Sequence, residues 1–281
     1  MFPYHPIFSL LQQEGYLIRS CLYTGFAALA TANIDDQHKG NFYVAFFQLS
    51  IGLERLMKLT LILDFMASND LKLPDNKWLK AFSHNLADLL ENIRTIEKRV
   101  SKHNLIDKVL KPYSLEKEIL HFFDEFAQKT RYANLDTLTG RQNIVDPLAR
   151  WNRIAHKIFE KYIPVRVKQR IDLEAMEYDL FMNPFTVVIA SDLERNPISF
   201  EEGFQLSRMF QVVAPLAIWR IMKIVYPIYK TMDEVSELAR GVNVSLHPEE
   251  MIVPVMYEFF IDFVSNDKNA VLNIEQWLQN A

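Results

Sequence analysis

The most constraining feature of this sequence is its shortage of glycine. The 281 residues include only 7 glycines, and each stands alone: Gly15, Gly25, Gly40, Gly52, Gly140, Gly203 and Gly241. A phosphate-cradling loop needs clustered glycines, because backbone amides must approach the phosphate closely. The sequence therefore excludes Rossmann dinucleotide enzymes, P-loop nucleotidases and protein kinases. The G-x-S-x-G, H-E-x-x-H and C-x-x-C motifs are also absent.

Apolar residues recur at helical spacing through the first half of the chain. Between residues 41 and 66 they lie mostly three or four positions apart, which predicts one face of an amphipathic helix. The same spacing from Trp78 to Ile96 predicts a second helix. Ser114, an N-cap residue followed by Glu116 and Glu118, predicts the start of a third. Together these patterns predict an all-α fold.

Charge and cysteine content restrict the partners and the compartment. The chain carries 31 basic and 35 acidic side chains, a formal net charge of -4, so an anionic partner must bind at a local basic patch. The single cysteine, Cys21, cannot form an internal disulfide. No apolar run reaches the ~20 residues that span a bilayer. We therefore expect a soluble, cytoplasmic protein without a membrane partner.

A polar connection and a helix start lie in the middle of the chain. Residues 131–145 are rich in polar side chains and are predicted to form a long connection, in which Arg131 contacts either a ligand or only a structural turn. Asp146 followed by Pro147 predicts a helix N-terminus, with an acceptor at the N-cap and proline in the first turn. Pro164 is expected to weaken or kink that helix.

The pattern changes beyond Asp172. A boundary between residues 172 and 196 would divide the chain into residues 1–172 and residues 173–281, the second part being a mostly helical extension packed on the first, with one or two short strands. Residues 181–190 fit a strand or a buried turn, and residues 248–263 fit a helix or a strand. Residues 200–240 are predicted to be helical with interruptions at Pro215 and Pro227.

The segment from Arg150 to His156 carries the residue types of a metal-independent ribonuclease. On a helix, Arg153 and His156 share a face with Asn152, since they are three and four positions apart. A histidine can exchange protons with ribose and leaving-group oxygens near neutral pH, and an arginine can hold a phosphodiester. A solvated helix face is the competing interpretation of the same residues.

Three segments resemble the HEPN superfamily of small all-α proteins, which includes RNA-cutting toxins and antiphage effectors. Residues 150–156 resemble its R-x(4 to 6)-H motif, and Asn152 to His156 matches the common R-N-x-x-x-H ending with Trp151 in the usual arginine position. Residues 48–58 resemble the second helix of the family's bundle, and residues 82–90 resemble the start of the third. The resemblance covers residues 41–161.

The resemblance implies an up-and-down helical bundle with a metal-independent endoribonuclease or RNA-binding function in stress response or phage defence. His156 and Arg150 would be catalytic, whereas Arg153, Asn152 and Arg131 would bind RNA phosphates. The active cleft of the family usually forms between two protomers, which implies a homodimer, and an antitoxin or regulatory protein is a further expected partner. No metal or cofactor is expected.

Other interpretations remain open at this stage. The bundle fits equally a non-catalytic module that binds a protein or a nucleotide. Glu118 and His121 form an E-x-x-H pair of the kind that ligates iron, but the sequence lacks the second copy that such a site needs. His84 and Asp88, four positions apart, fit either an acid–base pair or an ordinary hydrogen bond on a helix surface.

Overall fold

A computed structural model of the protein describes residues 4–142, 144–182, 190–260 and 268–273, and it confirms the all-α fold. The helices in this part of the chain are α1 (Pro6–Thr31), α2 (Lys39–Ser68), α3 (Asn76–Lys80), α4 (Leu86–Val100), α5 (Leu105–Val109), α6 (Leu115–Glu125), α7 (Ala133–Leu138), α8 (Pro147–Tyr162), α9 (Val165–Met182), α10 (Phe200–Leu246) and α11 (Lys268–Leu272). A π-helical turn, Phe126–Thr130, extends α6, and a 3-10 turn, Met256–Phe260, follows α10.

A small antiparallel hairpin separates α9 from α10. Its strands are β1 (Ala190–Ser191) and β2 (Pro197–Ile198), with Ala190 opposite Ile198. The predicted strand or turn at residues 181–190 lies largely outside the described residues, because residues 183–189 are not among them. The tip of the hairpin, residues 192–196, lies against the start of α8 and bears directly on the candidate site.

Two glycines let α1 and α2 pack closely as an antiparallel pair. A Cβ atom on Gly25 would lie 2.6 Å from Cγ of Leu49, and one on Gly52 would lie 2.8 Å from Cδ2 of Leu22. Both leucines are buried. Glycine is therefore needed here for close approach of two helices rather than for a turn.

Helix α10 is the longest element, and it packs against α1, α2, α4, α6, α8 and α9. The predicted interruptions at Pro215 and Pro227 are wrong, since both prolines lie inside a continuous helix. Ser199 and Glu202 cap its start by exchanging hydrogen bonds with each other's backbone amides. Each internal proline costs one backbone hydrogen bond, and packing on several sides compensates for that loss.

An aromatic cluster joins α2, α6 and α8 at the centre of the core. The ring of Trp151 lies 5.3 Å from the rings of Phe46 and Phe122, and Phe46 and Phe126 are 5.5 Å apart. Trp151 is only 1 % exposed. Its burial fixes which face of α8 points inward, so the opposite face is presented to solvent.

The helix predicted from Trp78 to Ile96 is instead divided into α3 and α4. Ser83 has a φ of 46° between them, a left-handed conformation that a continuous helix does not contain. At the start of α4, Asn85 accepts a hydrogen bond from the amide of Asp88, and Asp124 accepts one from the amide of Leu86 at 2.7 Å. These two side-chain acceptors favour a new helix start at that point.

Three further predictions are refined by the structure. The polar connection at residues 131–145 contains the short helix α7. Pro164 separates α8 from α9, and the sequence patterns did not predict α9. Part of residues 248–263, left open between helix and strand, forms the 3-10 turn Met256–Phe260.

Among the described helices, α10 alone is long and apolar enough to cross a membrane. Its most apolar window is 61 % buried inside the fold. The core helix of a folded protein satisfies the same length and composition criteria, so α10 is weak evidence for a span.

Candidate functional site on helix α8

The start of α8 is fixed as the sequence predicts. The side chain of Asp146 accepts a hydrogen bond from the amide of Leu148 at 2.8 Å, and Pro147 occupies the first turn. Trp151, Ile154 and Ile158 are buried. Capping fixes the first residue of the helix and burial fixes its rotation, so the polar side chains of α8 hold defined positions.

Arg153 and His156 are exposed next to each other on the outer face of α8. The Nδ1 atom of His156 lies 2.9 Å from the backbone oxygen of Asn152. A carbonyl oxygen can only accept, so Nδ1 must carry the proton. In the neutral ring, Nε2 then carries the free lone pair that a general base requires.

Arg150 points to a different side of the helix. Six positions separate it from His156, which is about a third of a turn on a helix. Its guanidinium forms an ion pair with the carboxylate of Glu125, at the end of α6. Partial burial lowers the pKa of Arg150, and Arg153 adds to that effect while Glu118 opposes it. Arg150 nevertheless stays protonated at neutral pH.

Asn152 is held inside the protein by the hairpin. It is 8 % exposed, and its Nδ2 atom donates to Oε1 of Glu194 at 3.2 Å. Among the described residues, its buried Oδ1 atom has no hydrogen-bond donor. The side-chain amide is therefore only half satisfied, and in this conformation it cannot contact an RNA phosphate.

The hairpin tip is anchored at several points. Leu193 is 1 % exposed, so it is part of the core. Arg195, with a left-handed φ of 68°, donates to Oδ1 of Asn134 at 3.0 Å and to Oδ2 of Asp146 at 2.9 Å. These contacts tie the hairpin to the N-cap of α8 and to α7.

His156 borders a cavity of about 370 Å³ that is rich in carboxylates, contributed by Glu160, Asp172, Asp192 and Glu202. Burial acts to raise the pKa of Asp192, but hydrogen bonds from Asn196 and from the amide of Glu194 outweigh it and lower that pKa. Four carboxylates make this side of His156 unfavourable for a phosphate. An RNA backbone must therefore approach His156 from the side of Arg153.

A row of cations continues along α8 on the Arg153 side. Lys157 lies one turn beyond Arg153, but its ammonium pairs with Oε1 of Glu118 at 2.6 Å. Arg150 is likewise paired with Glu125. No acceptor is described for the Arg153 guanidinium in the part of the chain that the structure covers. Arg153 is thus the cation of α8 best placed to receive a phosphate.

Arg131 lies away from this group, at the end of the π-helical turn, and its guanidinium stacks over the ring of Tyr132 at 5.1 Å. The structure therefore brings together Arg153, His156 and the backbone of Asn152, but it does not bring Arg150 or Arg131 to His156. His84 contacts Glu54 at 3.0 Å, and Asp88 hydrogen-bonds to Asn85 instead.

Sequence reasoning missed the two carboxylates that decide these placements. Glu125 pairs with Arg150 and Glu194 binds Asn152, and both lie far from α8 along the chain. No local pattern marks either residue. Only the spacing of Glu118 and Glu125 on one face of α6, towards α8, could have suggested partners for the α8 cations.

The residues that the structure describes contain no group of three or more His, Cys, Asp or Glu side chains placed to hold a metal ion. Glu118, one member of the E-x-x-H pair, is the partner of Lys157. No protein-family model, curated protein or solved structure matches the chain. The argument for function therefore rests on the geometry of α8.

Proposed function

We propose that this chain is a HEPN-like, metal-independent endoribonuclease or RNA-binding protein of the cytoplasm, acting in stress response or phage defence. One observation carries the proposal. His156 is exposed, its Nδ1 proton is held by the backbone of its own helix, and the exposed Arg153 lies one turn before it. That arrangement supplies a base and a phosphate-binding group on a rigid element.

The chemistry needs no metal. Nε2 of neutral His156 takes the proton from a ribose 2′-hydroxyl, and the 2′-oxygen attacks the adjacent phosphorus. The bond to the 5′-oxygen breaks, and that oxygen takes up a proton as it leaves. The products are a 2′,3′-cyclic phosphate and a 5′-hydroxyl. Arg153 stabilises the negative charge that develops on the phosphate oxygens.

A single protomer offers only part of this machinery, because Arg150 is turned towards Glu125. The family resemblance implies a homodimer in which the arginine and histidine of each subunit face the other. A second protomer, by placing its own Arg153 or Arg150 opposite His156, would supply a further phosphate contact. An antitoxin or other regulatory protein belongs to the same proposal.

The competing function is a non-catalytic helical module. The Arg150–Glu125 pair, the burial of Asn152 and the acidic cavity beside His156 favour it, because each reduces the affinity of the site for RNA. The exposure of His156 favours catalysis, since an incidental histidine packed against its own protomer could not reach a substrate.

Cleavage of total RNA and of a tRNA pool by the purified full chain in EDTA tests the proposal. We expect cleavage by the wild type and a fall of about 10² to 10⁴ in rate for His156→Ala, the range that a general acid–base residue contributes. The product should carry a 2′,3′-cyclic phosphate end. Arg153→Ala should reduce the rate more than Arg150→Ala, because Arg150 is already paired.

His121→Ala is the matched control, because His121 is an exposed helical histidine on α6. It should cleave like the wild type, and circular dichroism should show that both variants fold. Equal cleavage by the His156→Ala variant would refute the assigned site. No cleavage by any form, with RNA binding retained, would favour the RNA-binding function, and loss of both would favour the protein-interaction module.

A further inference from the structure

Helix α9 carries an apolar stripe on its outer face. It has 18 residues, and only Ile171 and Ala175 are buried. The stripe, defined as Val165, Leu173, Met176 and Leu180, is 66 %, 60 %, 51 % and 78 % exposed. A helix that packs by one face normally keeps its opposite face polar. Four large apolar side chains in one exposed row indicate a surface that contacts another protein.

The inner face of α9 shows that this exposure does not come from a detached helix. Tyr178 stacks on the ring of Phe200 at 4.9 Å and lies 5.0 Å from Phe204, both on α10. Glu174 accepts from Arg208 of α10 at 3.2 Å. Helix α9 is therefore docked on α10, and the stripe points away from that contact.

The charges beside the stripe are complementary to the same helix running in the opposite direction. Arg166 and Arg170 lie along one edge in the first half of α9, and Glu177 lies along that edge in the second half. In an antiparallel helix pair, residues of the same edge face each other. Arg170 of one copy would then lie opposite Glu177 of the second copy, and the symmetry creates two such pairs.

The apolar residues match in the same register. With the two-fold axis beside Leu173, Val165 lies opposite Leu180 of the second copy, and the two Leu173 side chains meet near the axis. The stripe is about 22 Å long at the rise of an α-helix. A parallel arrangement would instead place Arg170 beside Arg170, so the charges favour the antiparallel one.

We propose that the protein forms a two-fold homodimer through an antiparallel pair of α9 helices, joined by this stripe and by two Arg170–Glu177 ion pairs. The inference stands whether or not the protein cleaves RNA, because it rests on exposure and charge pattern alone. One helix pair of this length buries less than the ~1,600 Å² of a standard interface. The dimer is expected to dissociate in the micromolar range.

Sedimentation of the full chain between about 1 and 100 μM tests the proposal, those concentrations spanning the expected range of dissociation. We expect a monomer–dimer equilibrium, and we expect Leu173→Asp to raise the dissociation constant at least 30-fold, since it places two carboxylates beside the axis. Leu10→Asp is the matched control, because Leu10 is a leucine of α1 that is 59 % exposed. It should leave the equilibrium unchanged.

Charge reversal tests the antiparallel register separately. Arg170→Glu and Glu177→Arg should each weaken the dimer about tenfold, as each creates two like-charged pairs, and the double variant should return to within about twofold of the wild type. A monomer at all concentrations, or a dimer that Leu173→Asp does not weaken, overturns the proposal. A double variant weaker than either single variant overturns the antiparallel register.

Discussion

Helices α8 and α9 follow each other across Pro164, but they use their apolar residues in opposite ways. Helix α8 buries Trp151 in a cluster of aromatic rings and leaves Arg153 and His156 in solvent. Helix α9 buries only Ile171 and Ala175 and exposes larger apolar side chains. The difference shows that α8 belongs to the core of one chain, whereas α9 has surface left for a second chain.

The two helices also differ in how charge holds them. At the end of α8, the guanidinium of Arg220 lies 4.1 Å from the centre of the Tyr162 ring and pairs with Glu116, which is 5 % exposed. The ion pairs of α9 are nearer to solvent, because the side chain of Glu174 is 35 % exposed. Substitutions on the two sides should therefore differ in cost.

The largest expected effect is at Trp151. Trp151→Ala removes the largest fully buried side chain and should lower the free energy of unfolding by about 3–5 kcal/mol. Leu173→Ala on α9 should change it by no more than about 0.5 kcal/mol, because the side chain is mostly in solvent. Urea denaturation of both variants measures the difference. Similar losses in the two would contradict the contrast between the helices.

The next effect separates the buried and exposed ion pairs. Glu116 lies 2.5 Å from Arg220 and also pairs with Lys223. Glu116→Gln should cost about 2 kcal/mol, because it leaves two cations partly buried without their counter-charge. Glu174→Gln, the control on α9, should cost about 0.5 kcal/mol or less, because its pairs are exposed. Equal costs would show that burial does not distinguish these pairs.

The same pair of variants has a defined pH dependence. Burial acts to raise the pKa of Glu116, but the hydrogen bonds from Lys223 and Arg220 outweigh it and hold that pKa below its ordinary value of 4.5. A carboxylate with a lowered pKa stabilises the fold above its unfolded pKa, and this stabilisation is lost as pH falls through the folded pKa. The cost of Glu116→Gln should therefore be full near pH 7 and should shrink below about pH 4.5.

A smaller effect concerns the start of α8. Asp146→Ala removes the N-cap and the partner of Arg195, so it should lower the free energy of unfolding by about 1–2 kcal/mol. Asp75→Ala, which removes a similar cap from α3, should have almost no effect on global unfolding, because α3 buries no residue. Thermal denaturation compares them. Equal shifts of the midpoint would contradict a structural role for the hairpin contact.

The smallest expected effect is on the outer face of α9. Leu180→Gln should leave the unfolding free energy of the monomer unchanged within about 0.5 kcal/mol, because Leu180 is 78 % exposed. Denaturation at a concentration low enough to keep the chain monomeric measures it. A loss above about 1 kcal/mol would mean that Leu180 packs within its own chain, which would weaken the comparison.

Local chemistry explains which parts of the fold the sequence predicts. Asp146 and Pro147 mark the start of α8 through contacts within one helical turn, so that start is predictable. Helix α9 was not predicted, because its apolar residues lie on two sides and do not form one periodic face. Pro215 and Pro227 suggested breaks in α10 because local rules do not include the surrounding helices.

The candidate site follows the same division. The adjacency of Arg153 and His156 comes from helix spacing, so the sequence predicts it. The pairing of Arg150 with Glu125 and of Asn152 with Glu194 depends on the tertiary fold. These two contacts decide which of the predicted polar side chains can reach a ligand, and no short-range pattern contains that information.

The hydrogen bond from His156 to the carbonyl of Asn152 has a consequence for how this surface can diversify. The imidazole is aimed by the backbone of a capped, buried helix and not by the loops around it. Insertions or exchanges in the hairpin or in the connection before α8 can thus alter which molecules are admitted while the ring keeps its direction. Recognition and reactivity are assigned to separate parts of the chain.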